Sequence, residues 1–175
     1  RIYTHRHGVL VRPTLAFDER GHHPNTVTYA VLGAEGDGTP PAALIPTLER
    51  FVGPGGTLDW PQAVVEPGSA GYDAGQTLAG HEAMGGLRFG TITLEAGQHR
   101  SYVLILGILS EGSDPDAVMA HYGDRARFAA WLRRTEDSWG KKLAPLQIDL
   151  GDARHNGWIK WVTLQPILRR ICGNS

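Results

Sequence analysis

Apolar positions in the first two thirds of the chain come in short extended runs bounded by turn residues. Gly8-Val9-Leu10-Val11 is closed by Pro13, and Thr26-Val27-Thr28-Tyr29-Ala30-Val31-Leu32 is β-branched, alternates, and ends at Gly33. Both predict strands, because branched side chains fit a pleated surface and glycine or proline ends it. Ala43 to Phe51 fits either a strand or a short helix. Leu87 to Leu94 and Ser101 to Leu109, joined by Glu95-Ala96-Gly97-Gln98, predict a hairpin, with Gly97 free to take a positive φ.

After Ser110 the period lengthens from two toward 3.6. Ser113-Asp114-Pro115 offers a cap followed by proline at the first helical position, so a helix is expected to run from there to about Tyr122 and to break at Gly123. Asp124 caps a second helix whose Phe128, Trp131, Leu132, Thr135, Trp139 and Leu143 share a face and which Pro145 ends. Leu146 to Leu150 is expected to form a short strand. From Asn156 to Cys172 the residues Trp158, Trp161, Val162, Gln165, Leu168 and Cys172 recur at helical spacing, Arg169 and Arg170 suit the helix's negative end, and Pro166 sits inside. A terminal helix this apolar needs a surface to pack on.

The chain has 175 residues, enough for one core-bearing domain or a domain and part of another. Seventeen Lys+Arg against eighteen Asp+Glu leave a formal charge of -1, so no global basic field favours nucleic acid or an anionic membrane. The single cysteine, Cys172, permits no internal disulfide and no thiolate metal cage, which makes a reducing cytoplasm the expected location. The longest apolar run, Tyr102 to Leu109, is far shorter than the roughly 20 residues that cross a bilayer.

Candidate chemistry is sparse. His5-Arg6-His7 and His22-His23 suggest metal ligation, but neighbouring side chains diverge and no carboxylate-histidine motif accompanies them, so hydrogen-bonded loop histidines are expected and no metal. Asp59, Glu66, Asp73 and Glu82 could supply a glycosidase-type acid pair, yet their spacing does not show which would converge, and solvated or turn-capping acids are the plainer expectation. Gly53-Pro54-Gly55-Gly56 and Gly85-Gly86 lack the helix start and the Lys-Ser/Thr pair of a phosphate cradle and are expected to be turns. No serine sits in a nucleophile elbow. Trp60 and Tyr72, in loops, are candidate carbohydrate-stacking residues, since an aromatic face suits the C–H face of a pyranose.

The C-terminal residues are more specific. Asn156-Gly157-Trp158-Ile159-Lys160-Trp161-Val162-Thr163-Leu164-Gln165, preceded by Leu146-Gln147-Ile148-Asp149-Leu150, resembles the domain junction of glycoside hydrolase family 94, the cellobiose-phosphorylase-like enzymes. The run Trp158 to Arg170 is nearer the branch containing 1,2-β-oligoglucan phosphorylases. Gly85 to Phe89, Leu94 to Gly97 and Leu104 to Gly107 resemble the last strands of that family's N-terminal sandwich.

The resemblance implies a mainly β chain: a partial antiparallel β-sandwich over 1–112, a helical linker with a short strand over 113–151, and at 152–175 the first helix of a missing (α/α)6 barrel. It implies the non-catalytic front of an inverting glycoside phosphorylase, with β-linked gluco-oligosaccharide as substrate, inorganic phosphate as co-substrate and no other cofactor. The catalytic residues would lie beyond Ser175, this part alone would be inactive, and a homodimer is expected. Asn156, Trp158, Trp161 and Gln165 match the helix that docks the barrel. The alternative is a stand-alone carbohydrate-binding or structural β-sandwich.

Overall fold

The computed structural model describes residues 1–66, 68 and 71–171. The chain divides into two compact units, Arg1–Phe128 and Ala129–Ser175. Its elements follow in the order β1 (Ile2–His5), β2 (Gly8–Val11), β3 (Leu15–Asp18), β4 (Gly21–Pro24), β5 (Thr28–Glu35), β6 (Ala43–Thr47), α1 (Leu48–Val52), α2 (Gln62–Val65), β7 (Thr77–Leu78), β8 (Ala83–Arg88), β9 (Tyr102–Leu109), α3 (Pro115–Tyr122), α4 (Arg125–Leu143) and α5 (Ala153–Ile171). The architecture is therefore mixed α and β, built around antiparallel strands, rather than mainly β.

The first unit is organised by a five-stranded antiparallel sheet in the order β7-β1-β2-β5-β9. Alternation divides the side chains between its faces. Ala30, Leu32 and Ala34 of β5 point to one face, where α3 closes a core with Met119, joined by Leu10 and Ile105. Ile2 and Val9 point to the other, against Leu44 of β6 and Leu87 of β8. The β6–β8 pair is a two-stranded ribbon lying on that second face. Its approach depends on a missing side chain, because a Cβ at Gly85 would come within 2.5 Å of Val31 Cγ2. Gly85 and Gly86, expected as a turn, thus lie within a strand.

Buried polar groups are tied down locally. Thr4, 5% exposed, donates its hydroxyl to the Asp73 carbonyl at 2.7 Å and accepts from the Gln76 amide at 2.9 Å, fixing the segment before β7. Glu35, likewise buried, forms an ion pair with Arg100. β3 and β4 form a separate hairpin with Phe17 exposed.

Several expectations hold. β2 spans Gly8–Val11, and β5 covers the alternating run with a start and end slightly displaced. Asp114 caps α3, its carboxylate accepting from the Asp116 amide at 3.0 Å, with Pro115 in the first turn. Ala43 to Phe51 is strand and then helix, with Thr47 as the cap between them.

Two further expectations fail. The Leu87–Leu94/Ser101–Leu109 hairpin does not form, although its turn does, with Gly97 at φ 84° and the Gln98 amide donating to the Glu95 carbonyl. β9 instead pairs along its full length with β5, from Thr28↔Leu109 to Glu35↔Tyr102, and β8 ends at Arg88 and pairs with β6. β9 thereby gains a longer apolar partner than residues 90–94 could offer. Leu146 to Leu150 is irregular and not a strand, its Leu150 amide donating instead to Asn156 Oδ1. α5 starts three residues before Asn156, while Cys172 lies outside the described residues.

Candidate functional site

The segment singled out by sequence folds as α4, an irregular connector and α5. Asp152 starts α5 by accepting from the His155 amide at 2.9 Å, and its carbonyl takes the Asn156 amide at 3.0 Å. One turn into the helix, Asn156 reaches back: its Nδ2 donates to Asp149 Oδ1 at 2.8 Å, and its Oδ1 accepts from the Leu150 amide at 2.8 Å. Asp149 also accepts from the Gly151 amide at 2.9 Å. The Asn156 amide, and secondarily the Gly151 N–H, holds the Asp149 carboxyl below the usual carboxylate range. Asn156 therefore clasps the connector to the helix start and is not free to reach a partner. The sequence pattern gave no reason to pair it with Asp149, seven residues away, since only a chain reversal between them brings the two together.

The other three expected docking residues behave differently. Trp158 and Trp161 are 62% and 58% exposed, and Val162 is also exposed. At i, i+3 and i+4 they form one stripe along α5. Gln165, one turn further, is partly covered, with Nε2 buried and without a hydrogen-bond partner among the described residues. The α4 tryptophans have cations of their own helix over them: Arg134 Cζ lies 4.8 Å from the Trp131 ring centre and Lys142 Nζ lies 4.4 Å from that of Trp139. A cavity of about 680 Å³ opens in this unit among Leu143, Gln147, Ile148, Asp149, Asn156 and Lys160.

Trp60 and Tyr72 are not brought into one platform. Trp60 ends a tight turn in which its amide donates to Thr57 Oγ1 at 3.1 Å, and its indole is exposed. Tyr72 bridges to Leu44 through backbone hydrogen bonds, and Arg50 lies 5.3 Å from its ring centre. No ring contact joins the two among the described residues.

The histidine motifs converge on acids. At the β1–β2 turn, Arg6 Nε lies 2.9 Å, His5 Nε2 3.4 Å and His7 Nε2 3.8 Å from Asp116 Oδ1 in the first turn of α3. The Arg6 hydrogen bond holds the Asp116 carboxyl below its ordinary value. Burial, and then the neighbouring Arg6 and His5 charges, push His7 down from 6.5. In the β3–β4 hairpin His22 packs edge-on against Phe17, and His23 Nδ1 lies 3.9 Å from Asp18. Among the described residues no group of three or more His, Cys, Asp or Glu side chains is placed to hold a metal ion, and no helix is long and apolar enough to cross a membrane. No protein-family model matches the chain, and no curated protein matches it.

Proposed function

We propose that this chain is the non-catalytic N-terminal β-region and helical linker of an inverting glycoside phosphorylase, one that cleaves β-linked gluco-oligosaccharides, in particular 1,2-β-oligoglucans, with inorganic phosphate. In this reading the first unit is part of a sandwich. The stripe Trp158, Trp161 and Gln165 seats a helical barrel that carries the acid, the phosphate site and the sugar subsites. Asn156 acts one step back, holding connector and helix in the geometry that presents the stripe.

The observation that carries the reading is the stripe itself. Two tryptophans more than half exposed on one helix face make a surface suited to a partner that supplies apolar contact. The motif resemblance names that partner as the barrel.

The test mixes the chain with the separately produced (α/α)6 barrel of a 1,2-β-oligoglucan phosphorylase. It measures both association and phosphate-dependent release of sugar 1-phosphate from 1,2-β-gluco-oligosaccharides. The expected result is no turnover by the chain alone, association with the barrel, and loss of that association in a Trp158→Ser/Trp161→Ser variant. Sugar 1-phosphate release by the chain alone, or absence of any complex, refutes the reading. Exposure of the Trp60 indole keeps a glycan-binding alternative open to the same oligosaccharides: saturable calorimetric binding to the chain alone, lost in Trp60→Ala, would favour it.

A further inference from the structure

The chain has three asparagines, Asn25, Asn156 and Asn174, and of these Asn156 is followed by glycine. A glycine within a helix weakens it relative to alanine, so it needs a reason. Gly157 lies in the first turns of α5 and has neither of the usual ones. Its φ is not positive, and among the described residues a Cβ built on it would meet nothing within 4 Å outside its own helix backbone. What glycine leaves here is a peptide nitrogen that no side chain shields, directly after the side-chain amide of Asn156. That amide is the clasp: Nδ2 donates to Asp149 Oδ1 and Oδ1 accepts from the Leu150 N–H, both at 2.8 Å. The group that ties connector to helix is thus also one whose neighbour can convert it.

We propose that Asn156-Gly157 is a deamidation site gated by the clasp, and that its conversion releases the connector from α5. The Gly157 main-chain nitrogen attacks Asn156 Cγ. A C–N bond forms, the Cγ–Nδ2 bond breaks, and ammonia leaves with the proton of the peptide N–H. Water then opens the cyclic imide. Cleavage at Cγ gives aspartate, and cleavage at the main-chain carbonyl gives isoaspartate, whose side-chain carbon joins the backbone. Water is the co-reactant, and nothing is oxidised or reduced.

The clasp slows the reaction because both polar atoms of the side chain are committed. The helical backbone, with the Asn156 amide on the Asp152 carbonyl at 3.0 Å, also holds Cγ away from the Gly157 nitrogen. Conversion therefore proceeds from molecules whose first turn has opened, a local event at a helix end where Ala153, Arg154, His155 and Gly157 are all exposed. The product does not rebuild the clasp. Aspartate puts an oxygen where Nδ2 faced the Asp149 carboxylate, which also accepts from the Gly151 N–H, and the two acids repel. Isoaspartate adds a backbone atom to the first turn and spoils its hydrogen-bond register. Either way Leu150 loses its acceptor, and the change runs in one direction.

The proposal rests on the clasp and not on the phosphorylase reading, and each can fail without the other. The full chain is held at mildly alkaline pH and body temperature for weeks and digested with trypsin. The amide-to-acid mass change and the isoaspartate content are then followed in the peptide His155–Lys160, which holds no other asparagine. Asp149→Ala, at an exposed position, is expected to convert about tenfold faster than wild type, because a hydrogen bond to a charged acceptor no longer holds the amide. Gly157→Ala strengthens the helix and shields the nitrogen, and it should suppress the conversion. In converted wild-type chain, hydrogen exchange at the Leu150 amide should quicken by roughly fivefold or more. Retention of the Asn156 amide in both wild type and Asp149→Ala overturns the proposal, as do equal rates in those two or an undiminished rate in Gly157→Ala. Unaltered Leu150 exchange after conversion overturns it as well.

Discussion

Replacing Leu32 with alanine should remove more stability than a comparable change at any exposed leucine. Leu32 is fully buried in the middle of β5, between Ala30 and Ala34 on its own strand and opposite Ile105 on β9. Shortening it deletes three carbons from a layer that the sheet and α3 enclose. Flanking alanines are too small to fill the space, and β5 is held by strands on both edges, so the backbone has little freedom to close the gap. Met119 is the one flexible neighbour able to lean in, which moderates the loss. Leucine-to-alanine changes in rigid cores cost about 3–5 kcal/mol, and partial filling by the thioether places this one near 3 kcal/mol. With a urea dependence of about 2 kcal/mol per molar, the unfolding midpoint of the first unit falls by about 1.5 M. The measurement is urea unfolding followed by circular dichroism of the sheet, with Leu58→Ala, at a 67% exposed position, as the control expected to stay within about 0.5 kcal/mol. A loss below about 1 kcal/mol at Leu32, or an equal loss at Leu58, would refute the placement of the core.

Gly8→Ala should destabilise the first unit by at least about 2 kcal/mol, because a Cβ there would stand 2.0 Å from the Val31 carbonyl oxygen in the central pairing of β2 with β5; an unchanged melting temperature would contradict that register. His7 titrates below 6.5 in the fold, so as pH drops through 6.5 the unfolded chain takes a proton that the folded chain refuses. Stability then declines, by at most about 1.4 kcal/mol per pH unit, and His7→Gln should flatten thermal stability in that window, whereas an identical slope in the variant would count against it. Asp116 has the opposite dependence on its own charge. Its pairing with Arg6 is complete above the ordinary carboxylate range and is lost as pH falls through its lowered value, so Asp116→Asn should remove an acid-side transition measured the same way. Asn156→Ala should leave the Leu150 amide without its acceptor, at a cost of about 1 kcal/mol, and hydrogen exchange at that amide should quicken by roughly fivefold; unaltered exchange would mean that the clasp does not form in solution.

What was legible in the sequence was local. Gly8–Val11, the β-branched run of β5, the Asp114-Pro115 helix start and the Phe128 to Leu143 stripe each carry a period or a cap that acts within a few residues, and each formed. Pairing was not legible. Leu87 to Leu94 and Ser101 to Leu109 are adjacent, apolar and joined by a competent turn, yet β9 is taken by β5 and β8 by β6, because partner choice depends on which apolar faces assemble across the whole sheet. β1, β7 and the β3–β4 hairpin are only two to four residues per strand, too short to show a period. Their backbone groups are recruited by neighbours, as Ile2 is by Val11 and Leu78. In the candidate site, Trp158 and Trp161 share one exposed face of α5, as their helical spacing places them. The roles of Asn156 and Asp149 depend on a reversal at Gly151, where φ is 70°, which no periodicity encodes. The convergence of His5, Arg6 and His7 on Asp116 was equally hidden, being a contact across more than a hundred positions.

The pairing of β5 with β9 also sets the order of events during synthesis. Thr28 meets Leu109 and Glu35 meets Tyr102, so β5 waits for roughly seventy further residues before its second edge is filled. At about 5–20 residues per second that is a delay on the order of 4–15 s. During it the growing chain can form the β1–β2–β5 meander, but β5 still presents Ala30, Leu32 and Ala34 uncovered, and α3, which seals them, is made later still. A ribosome pausing between Gly36 and Ser101 would therefore hold a half-built sheet open to aggregation, whereas one that runs through to Tyr122 releases a segment able to close its own core.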